Sequence, residues 1–244
     1  MPRDPQPTKD RILASAERLF AASGFDGVSM RDIAADANAQ LALIHYHFGT
    51  KLDLYRAIWA LRYTDEVANR REASLASIDF GLPVPKLIRT LVEIYLLPLI
   101  KMTEVEELRA FVAMGARECT DPKEAERGIL QEFLDTPARR FVEYFGKALP
   151  ELSPAEIAWG YQAMLGVSVV YLADRDRITR ISKGAARAGD AKAATRPLVE
   201  FCVGGWLTLW EARKQSSGKD LVRSNSKLEP KQIRHKMKGR NRKK

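Results

Sequence analysis

The chain has 244 residues, of which 45% are hydrophobic and 29% charged, which is an ordinary globular balance and excludes wholesale disorder. This length allows one or two domains, and no apolar run approaches the ~18 residues of a membrane span. The polar N-terminus has no apolar signal segment, and Cys119 and Cys202 lie far apart. We therefore expect a cytoplasmic protein without disulfides and without a membrane partner.

The net charge of +9 is confined to the C-terminal tail. Residues 216–244 contain 11 Lys/Arg and 2 Asp/Glu, which accounts for the whole excess. The rest of the chain is neutral overall and gives no electrostatic indication of a nucleic-acid partner. The tail itself is either a solvated, disordered end or a source of salt-sensitive affinity for DNA.

Four helices are predicted in the N-terminal part. Apolar residues at helical spacing predict a first helix over Thr8–Ser23, and Gly24 ends it. Ser29 is an N-cap for a second, short helix, with Asp32 completing a capping box. The turn 38–40 leads to a third helix over Leu41–Phe48, and a fourth begins at Thr50 with Asp53 and continues through Leu61.

The remainder of the chain is also predicted to be helical. Proline residues mark the breaks, and the helices between them fall near 85–102, 104–119, 123–148, 154–181 and 197–215. Residues 183–195 are small and polar, which predicts a mobile loop. No alternating strand pattern is longer than a few residues, so the predicted fold class is all-α.

Two short helices joined by a tight turn, with a helix behind them, are typical of a helix-turn-helix. Ile44 and Phe48 would support the second helix from behind, and the front would enter the major groove of DNA. His45 and His47 could reach phosphates or base edges, and Arg31 points toward the same groove. The first amides after Ser29 and Thr50 are natural donors to phosphate.

This stretch resembles the TetR family of bacterial transcriptional regulators, and in the run YHFGTK its AcrR-type branch. The resemblance covers residues 8–60 and continues beyond them only in length, helical character and the segment Arg117–Pro122. The matching residues are Thr8, Ile12, Leu13, Ala16, Leu19, Phe20, Gly24, Val28, Ser29, Arg31, Ile33, Ala34, Ala37, Tyr46, His47, Phe48, Lys51 and Leu54. The family usually has Gly where Asn38 stands and Tyr where His45 stands.

The resemblance and the helix-turn-helix geometry together predict a set of DNA-binding residues, with Lys51 as a phosphate contact. Leu41 and Leu43 could instead belong to the core, the two histidines could be surface groups, and Tyr46 could serve packing. The set is Ser29, Met30, Arg31, Gln40, Leu41, Ala42, Leu43, His45, Tyr46, His47, Thr50 and Lys51.

Two apolar seams in the last helices predict either ordinary core or a homodimer interface, a four-helix bundle built from two chains. Glycines in both seams would allow close approach, and the resemblance favours the dimer. The candidate interface residues are Val167, Tyr171, Phe201, Gly205, Trp206 and Leu209.

The resemblance also implies a pocket for a small-molecule effector within the helical bundle. Aromatic and polar residues at helical spacing are candidates for its lining, although such a stripe is also typical of core. The candidates are Tyr95, Arg109, Met114, Arg117, Glu118 and Trp159, and the effector itself is not identified by them.

The predicted organisation is a flexible arm (1–7), a helix-turn-helix domain (8–55), a larger helical domain for effector binding and dimerisation (56–215) and a disordered basic tail (216–244). The predicted function is that of a homodimeric, sequence-specific regulator of double-stranded DNA, a repressor that a small molecule releases from a near-palindromic operator. A scaffold that binds many DNA sites is the alternative.

An enzyme is disfavoured, because motifs such as GxSxG, HExxH, CxxC and the P-loop are absent from the sequence. No cofactor is predicted. A metal site is not predicted either, because His45 and His47 lie on different faces of one helix.

Overall fold

The computed structural model describes residues 5–63, 65–173 and 176–226, and in these residues it contains thirteen helices and no strand. The all-α prediction is confirmed. The helices are α1 (Pro5–Ser23), α2 (Met30–Asp36), α3 (Leu41–Phe48), α4 (Lys51–Arg62), α5 (Asp65–Ala76), α6 (Val84–Met102), α7 (Glu106–Glu118), α8 (Glu124–Arg127), α9 (Ile129–Phe133), α10 (Asp135–Ala148), α11 (Pro154–Ala173), α12 (Arg177–Ile181) and α13 (Ala191–Ser226).

Capping boxes begin both α2 and α4. The Ser29 hydroxyl accepts from the amide of Asp32 at 3.2 Å, and the Asp32 carboxylate accepts from the amide of Ser29 at 2.8 Å. Thr50 and Asp53 repeat this arrangement at the start of α4. Asn38 takes the left-handed conformation of the turn before α3, with φ of 46°. The two caps and the turn therefore set the relative positions of α2, α3 and α4 from local sequence.

The N-terminal core extends beyond the first three helices. Ile12, Phe20 and Ile44 are fully buried in it, and Trp59 of α4 and Phe111 of α7 belong to the same cluster. The predicted domain boundary between residues 55 and 56 falls inside α4. The helix-turn-helix is thus continuous in packing with the helices that follow it.

A second core lies among α6, α10, α11 and α13. Phe145 and Trp206 stack in it, with ring centroids 4.1 Å apart and planes at 9°. Gly160 of α11 lies against the indole, and a Cβ at this position would come within 2.6 Å of two ring carbons. The glycine is required because neither the buried ring nor the helix can withdraw.

The structure differs from the predicted helices at several points. The predicted 123–148 helix is divided into α8, α9 and α10. Gly128, with φ of 68°, separates α8 from α9, because a left-handed residue interrupts the helical hydrogen bonds, and Leu134 lies between α9 and α10. The predicted 154–181 helix is divided into α11 and α12, with residues 174 and 175 undescribed between them. Helix α5 was not predicted.

Helices extend into the predicted arm, loop and tail. Residues 5–7 belong to α1, and α13 begins at Ala191 and continues to Ser226, so it includes part of the predicted loop and the start of the predicted tail. Residues 1–4 and 227–244, which hold the rest of the arm and of the basic tail, lie outside the described residues. No helix in the described ranges is both long and apolar enough to cross a membrane.

The contact between Gly160 and Trp206 predicts a position-specific loss of stability. Gly160→Ala should lower the free energy of unfolding by about 1–3 kcal/mol, because the new methyl group overlaps a fixed indole. Gly146→Ala in α10 is the matched control, since a Cβ there meets no atom within 4 Å. Chemical denaturation of both variants tests this, and equal stabilities would contradict the packing described.

Candidate functional site

Helix α3 is braced from behind and open in front. Ile44 and Phe48 are buried against α1 and α2, whereas Tyr46 is 83% exposed and Ala42 and His45 are also exposed. Leu41, Leu43 and His47 are half-buried at the edges of the helix. The helix therefore presents an open face without Asp, Glu, Lys or Arg, supported by an apolar anchor, which is an arrangement suited to a major groove.

The starts of α2 and α4 flank α3 in sequence and carry the other predicted contacts. Ser29, Arg31, Gln40 and Thr50 are exposed, and Met30 is half-buried. Hydrogen bonds from Ser29 hold the pKa of Asp32 below its usual value, and Thr50 does the same for Asp53. Each helix start thus offers amide donors beside an ionised capping carboxylate.

Lys51 has a structural role that the sequence did not indicate. Its ammonium donates to the carbonyls of Phe25 and Val28, both at 3.0 Å, and lies 4.3 Å from the Phe25 ring centroid. The side chain joins the start of α4 to the segment between α1 and α2. Two N–H groups of the Lys51 ammonium donate to these carbonyls, so the predicted contact with a DNA phosphate would have to use the third.

The two histidines of α3 differ in their surroundings. Nδ1 of His45 lies 2.9 Å from the Gly49 carbonyl, so this nitrogen carries a proton and donates it. Nε2 of the neutral ring is then an acceptor, and it donates to a phosphate only when the ring is protonated. His47 is half-buried, and its Nε2 has no hydrogen-bond partner among the described residues.

A cavity of about 320 Å³ lies where α4, α5, α6, α7, α10 and α11 meet. Its wall is mainly apolar and aromatic, which is typical of a small-molecule site. The lining includes Trp59, Arg62, Tyr63, Arg71, Tyr95, Leu99, Met102, Phe111, Cys119, Leu130, Leu134, Asp135, Phe141, Tyr161, Gln162 and Ser168. Most of these side chains were not singled out from the sequence.

Of the six residues predicted to line an effector pocket, the structure places one, Tyr95, in the cavity wall. Trp159 is 74% exposed on the surface, and Met114 is buried in the N-terminal core. Arg109 is exposed and pairs with Glu106. These predictions are corrected because helical spacing fixes which residues share a face but not which face meets the cavity.

The remaining two predicted pocket residues, Arg117 and Glu118, instead connect α7 to the N-terminal helices α1 and α4. Arg117 donates to the carbonyls of Ala21 and Ala22 at the end of α1, at 3.0 and 2.9 Å. Helix α7, which carries both residues, thereby holds the C-terminal end of α1, where cationic side chains satisfy the last carbonyls of a helix.

Glu118 is the centre of a buried polar network. Only 2% of it is exposed, and it accepts from the Tyr55 hydroxyl at 2.9 Å and from Arg127 at 3.0 Å. Arg127 also pairs with Asp121 at 3.1 Å. Burial and the adjacent carboxylate raise the pKa of Tyr55. Burial alone would lower the pKa of Arg127, but its paired carboxylates outweigh this and raise it.

The predicted dimer residues fall into two groups. Phe201, Gly205 and Leu209 are exposed, whereas Trp206 is only 2% exposed and stacks on Phe145. Val167 and Tyr171 are half-buried against the second core. Trp206 is therefore core, because it points to the opposite side of α13 from Phe201.

An exposed apolar surface nevertheless runs along α11 and α13, which pack against each other. We call it the outer face. Trp159 is 74% exposed, Val170 68% and Phe201 71%. Its members are Trp159, Ala163, Gly166 and Val170 of α11, and Phe201, Gly204, Gly205 and Leu209 of α13. The two apolar seams predicted from the sequence include this face, and Trp159, which was also predicted to line the effector pocket, lies on it and outside the cavity wall.

Two family models match this chain. The model "Bacterial regulatory proteins, tetR family" matches residues 12–58, and the model "Tetracyclin repressor-like, C-terminal domain" matches residues 93–205. The chain belongs to the TetR family. It is a DNA-binding transcriptional regulator with an N-terminal helix-turn-helix, as the sequence predicted. The family is one of regulators, so the prediction that the chain is not an enzyme is confirmed.

The similarity to individual curated proteins covers a short segment of the chain. The chain is 40% identical over 47 residues to the Staphylococcus aureus (strain Newman) biofilm operon icaADBC negative transcriptional regulator IcaR, which is 19% of this chain and 25% of that protein. The matched segment thus spans about a quarter of the length of the curated relatives.

Two solved structures show the same fold along most of the chain. NalD, the secondary repressor of the MexAB-OprM multidrug efflux pump in Pseudomonas aeruginosa, is 18% identical with a TM-score of 0.56, over 83% of this chain and 98% of that one. FadR from Bacillus subtilis, in complex with stearoyl-CoA, is 14% identical with a TM-score of 0.51, over 80% and 98%.

In this TetR-family regulator, loss of Glu118 should be costly. Glu118→Ala leaves a buried guanidinium without its main carboxylate and removes the acceptor of Tyr55, so we expect about 3–5 kcal/mol less stability. Glu126→Ala, in the exposed part of α8, removes the same charge as a control. Thermal unfolding distinguishes them, and a small effect at Glu118 would contradict the central role of this network.

Proposed function

We propose that the protein is a homodimeric repressor that a small molecule releases from a near-palindromic operator. The observation that carries this proposal is the position of α4. The helix begins beside α3 at Thr50 and Lys51, and its other end contributes Trp59, Arg62 and Tyr63 to the cavity wall. A ligand that moves the cavity end of α4 therefore acts directly on the support of the DNA-facing helix.

The exposed members of the predicted DNA set would make the contacts. Tyr46, Ala42 and His45 lie on the open front of α3, and Arg31 is exposed on α2 with no partner among the described residues. Arg31 is suited to a guanine or a phosphate, and the apolar side chains to thymine methyl groups. The half-buried residues Met30, Leu41, Leu43, His47 and Lys51 would support and orient this surface.

The outer face supports the homodimer. Apolar side chains as exposed as Trp159 and Phe201 are stabilised when a second copy covers them, and two-fold pairing of α11 and α13 gives a four-helix bundle. A symmetric dimer would place two α3 helices about one turn of DNA apart, roughly 34 Å. Each half-site then adds to the binding of the other, which explains the expected near-palindrome.

The Glu118 network and Arg117 provide the coupling between ligand and DNA. Phe111 and Ala116 of α7 line the cavity, and the same helix is bonded to α1 through Arg117 and to α4 through Tyr55. A ligand that favours a different arrangement of α4 and α7 weakens DNA binding by linkage, typically by about 1–3 kcal/mol. Repression is also supported by the relatives IcaR and NalD, which are named as negative regulators.

The proposed DNA contacts predict a selective loss of affinity. Arg31→Ala and Tyr46→Ala should each weaken binding by about 10- to 100-fold, because each removes one contact at the DNA surface. The probe is duplex DNA that the purified protein selects from genomic fragments, measured by gel shift. As a control, Arg196→Ala removes an exposed charge on α13, which is far along the chain from the proposed DNA contacts. Unchanged affinity of both variants would contradict the site.

The proposed dimer predicts a change of mass. Phe201→Asp should convert the dimer into monomers and abolish tight operator binding, since two half-sites no longer act together. Ile181→Asp is the matched control, because Ile181 is 60% exposed but lies outside the outer face. Analytical ultracentrifugation reports the mass. A dimer that persists in the Phe201 variant, or a wild-type monomer, would contradict this interface.

A further inference from the structure

The cavity wall contains an arginine that has no carboxylate partner in the part of the chain that the structure describes. Arg71 of α5 lies in the wall, half-buried, with its guanidinium 5.9 Å from the Phe141 ring centroid. The hydroxyls of Tyr63, Tyr95 and Tyr161 are near enough for its charge to oppose the rise in pKa that burial gives each of them. The cation thus lies among aromatic rings in a wall that is mainly apolar.

The other charged groups of the wall are already paired. Arg62 forms an ion pair with Glu17 at 2.9 Å, and Asp135 pairs with Arg139 at 3.1 Å. Arg71 has no carboxylate partner among the described residues. Among the described residues, the lining therefore carries one positive charge without a carboxylate partner, and a half-buried charge of this kind is stabilised by an opposite charge.

We propose that the cavity binds an apolar monocarboxylate, with its carboxylate on Arg71. This inference rests on the proposed function and names the class of its effector. A guanidinium matches a carboxylate with two parallel hydrogen bonds, and the hydroxyl of Tyr63 is close enough to Arg71 for the guanidinium to oppose the rise in pKa that burial gives this hydroxyl. A single cation balances a single negative charge, so a dianionic phosphate would leave net charge in the apolar wall.

The rest of the cavity suits the body of such an acid. Met102, Phe111, Leu130 and Leu134 supply apolar surface away from the charged group. The volume of about 320 Å³ is at the small end of ligand sites and limits the body to a short chain or a compact ring system. Phe111 belongs to α7, so the body of the ligand contacts a helix that is bonded to α1 and α4.

The experiment compares acids with neutral amides of the same shape. Decanoate and 2-naphthoate are titrated into the full-length protein beside decanamide and 2-naphthamide, by calorimetry. We expect at least one acid to bind about tenfold or more tightly than its amide, because only the carboxylate pairs with the guanidinium. Arg71→Gln should remove this preference while affinity for the amides stays the same. Arg70→Gln, exposed on the same helix, is the control and should keep it.

Two results would overturn the proposal: amides that bind as well as both acids, or a preference for acids that survives in a folded Arg71→Gln variant. If the Arg71→Gln variant does not fold, the comparison of acids with amides in the wild-type protein decides whether the proposal holds. Arg71→Lys, which keeps the charge but not the paired donors, should then retain part of the preference.

Gel shift with the selected operator separates this inference from the function on which it rests. Acid binding that leaves DNA affinity unchanged supports the ligand class and contradicts effector release. Release of DNA by a neutral compound, with no acid bound, contradicts the ligand class and supports the function.

Discussion

Glu118 and Arg127 form an ion pair with almost no exposure to solvent where α4, α7 and α8 meet, and the positions of these helices depend on it. A buried pair adds little net stability, because the loss of hydration offsets the attraction between the charges. The effect of the pair is to fix the relative positions of the three helices. Any shift of α4 away from α7 would break the hydrogen bond from the Tyr55 hydroxyl to Glu118. Moving one of these two helices without the other therefore costs free energy.

The same constraint explains why the two parts of the chain are not independent. The N-terminal core includes Trp59 and Phe111, which also line the cavity. Lys51 fixes the start of α4 to the segment before α2, and Arg117 fixes α7 to the end of α1. The supports of α3 and the wall of the cavity are therefore different surfaces of the same helices.

Much of the N-terminal fold could be predicted from the sequence because its determinants are local. The capping boxes at Ser29 and Thr50, and the turn at Asn38, are each specified within a few residues. The candidate DNA surface followed from these elements, since Ile44 and Phe48 define the back of α3 and so its front. The additional structural role of Lys51 could not be predicted, because its acceptors, the carbonyls of Phe25 and Val28, are remote in sequence.

The sequence by itself determined the all-helical class, the helix-turn-helix and its family, because short-range periodicity and capping depend only on neighbouring residues. Only the tertiary structure decided that Trp206 is core while Trp159 is exposed, that Glu118 joins two parts of the chain, and that Arg71 faces a cavity. Each of these depends on which helices pack together, and contacts between distant residues leave no periodic signal in a single sequence.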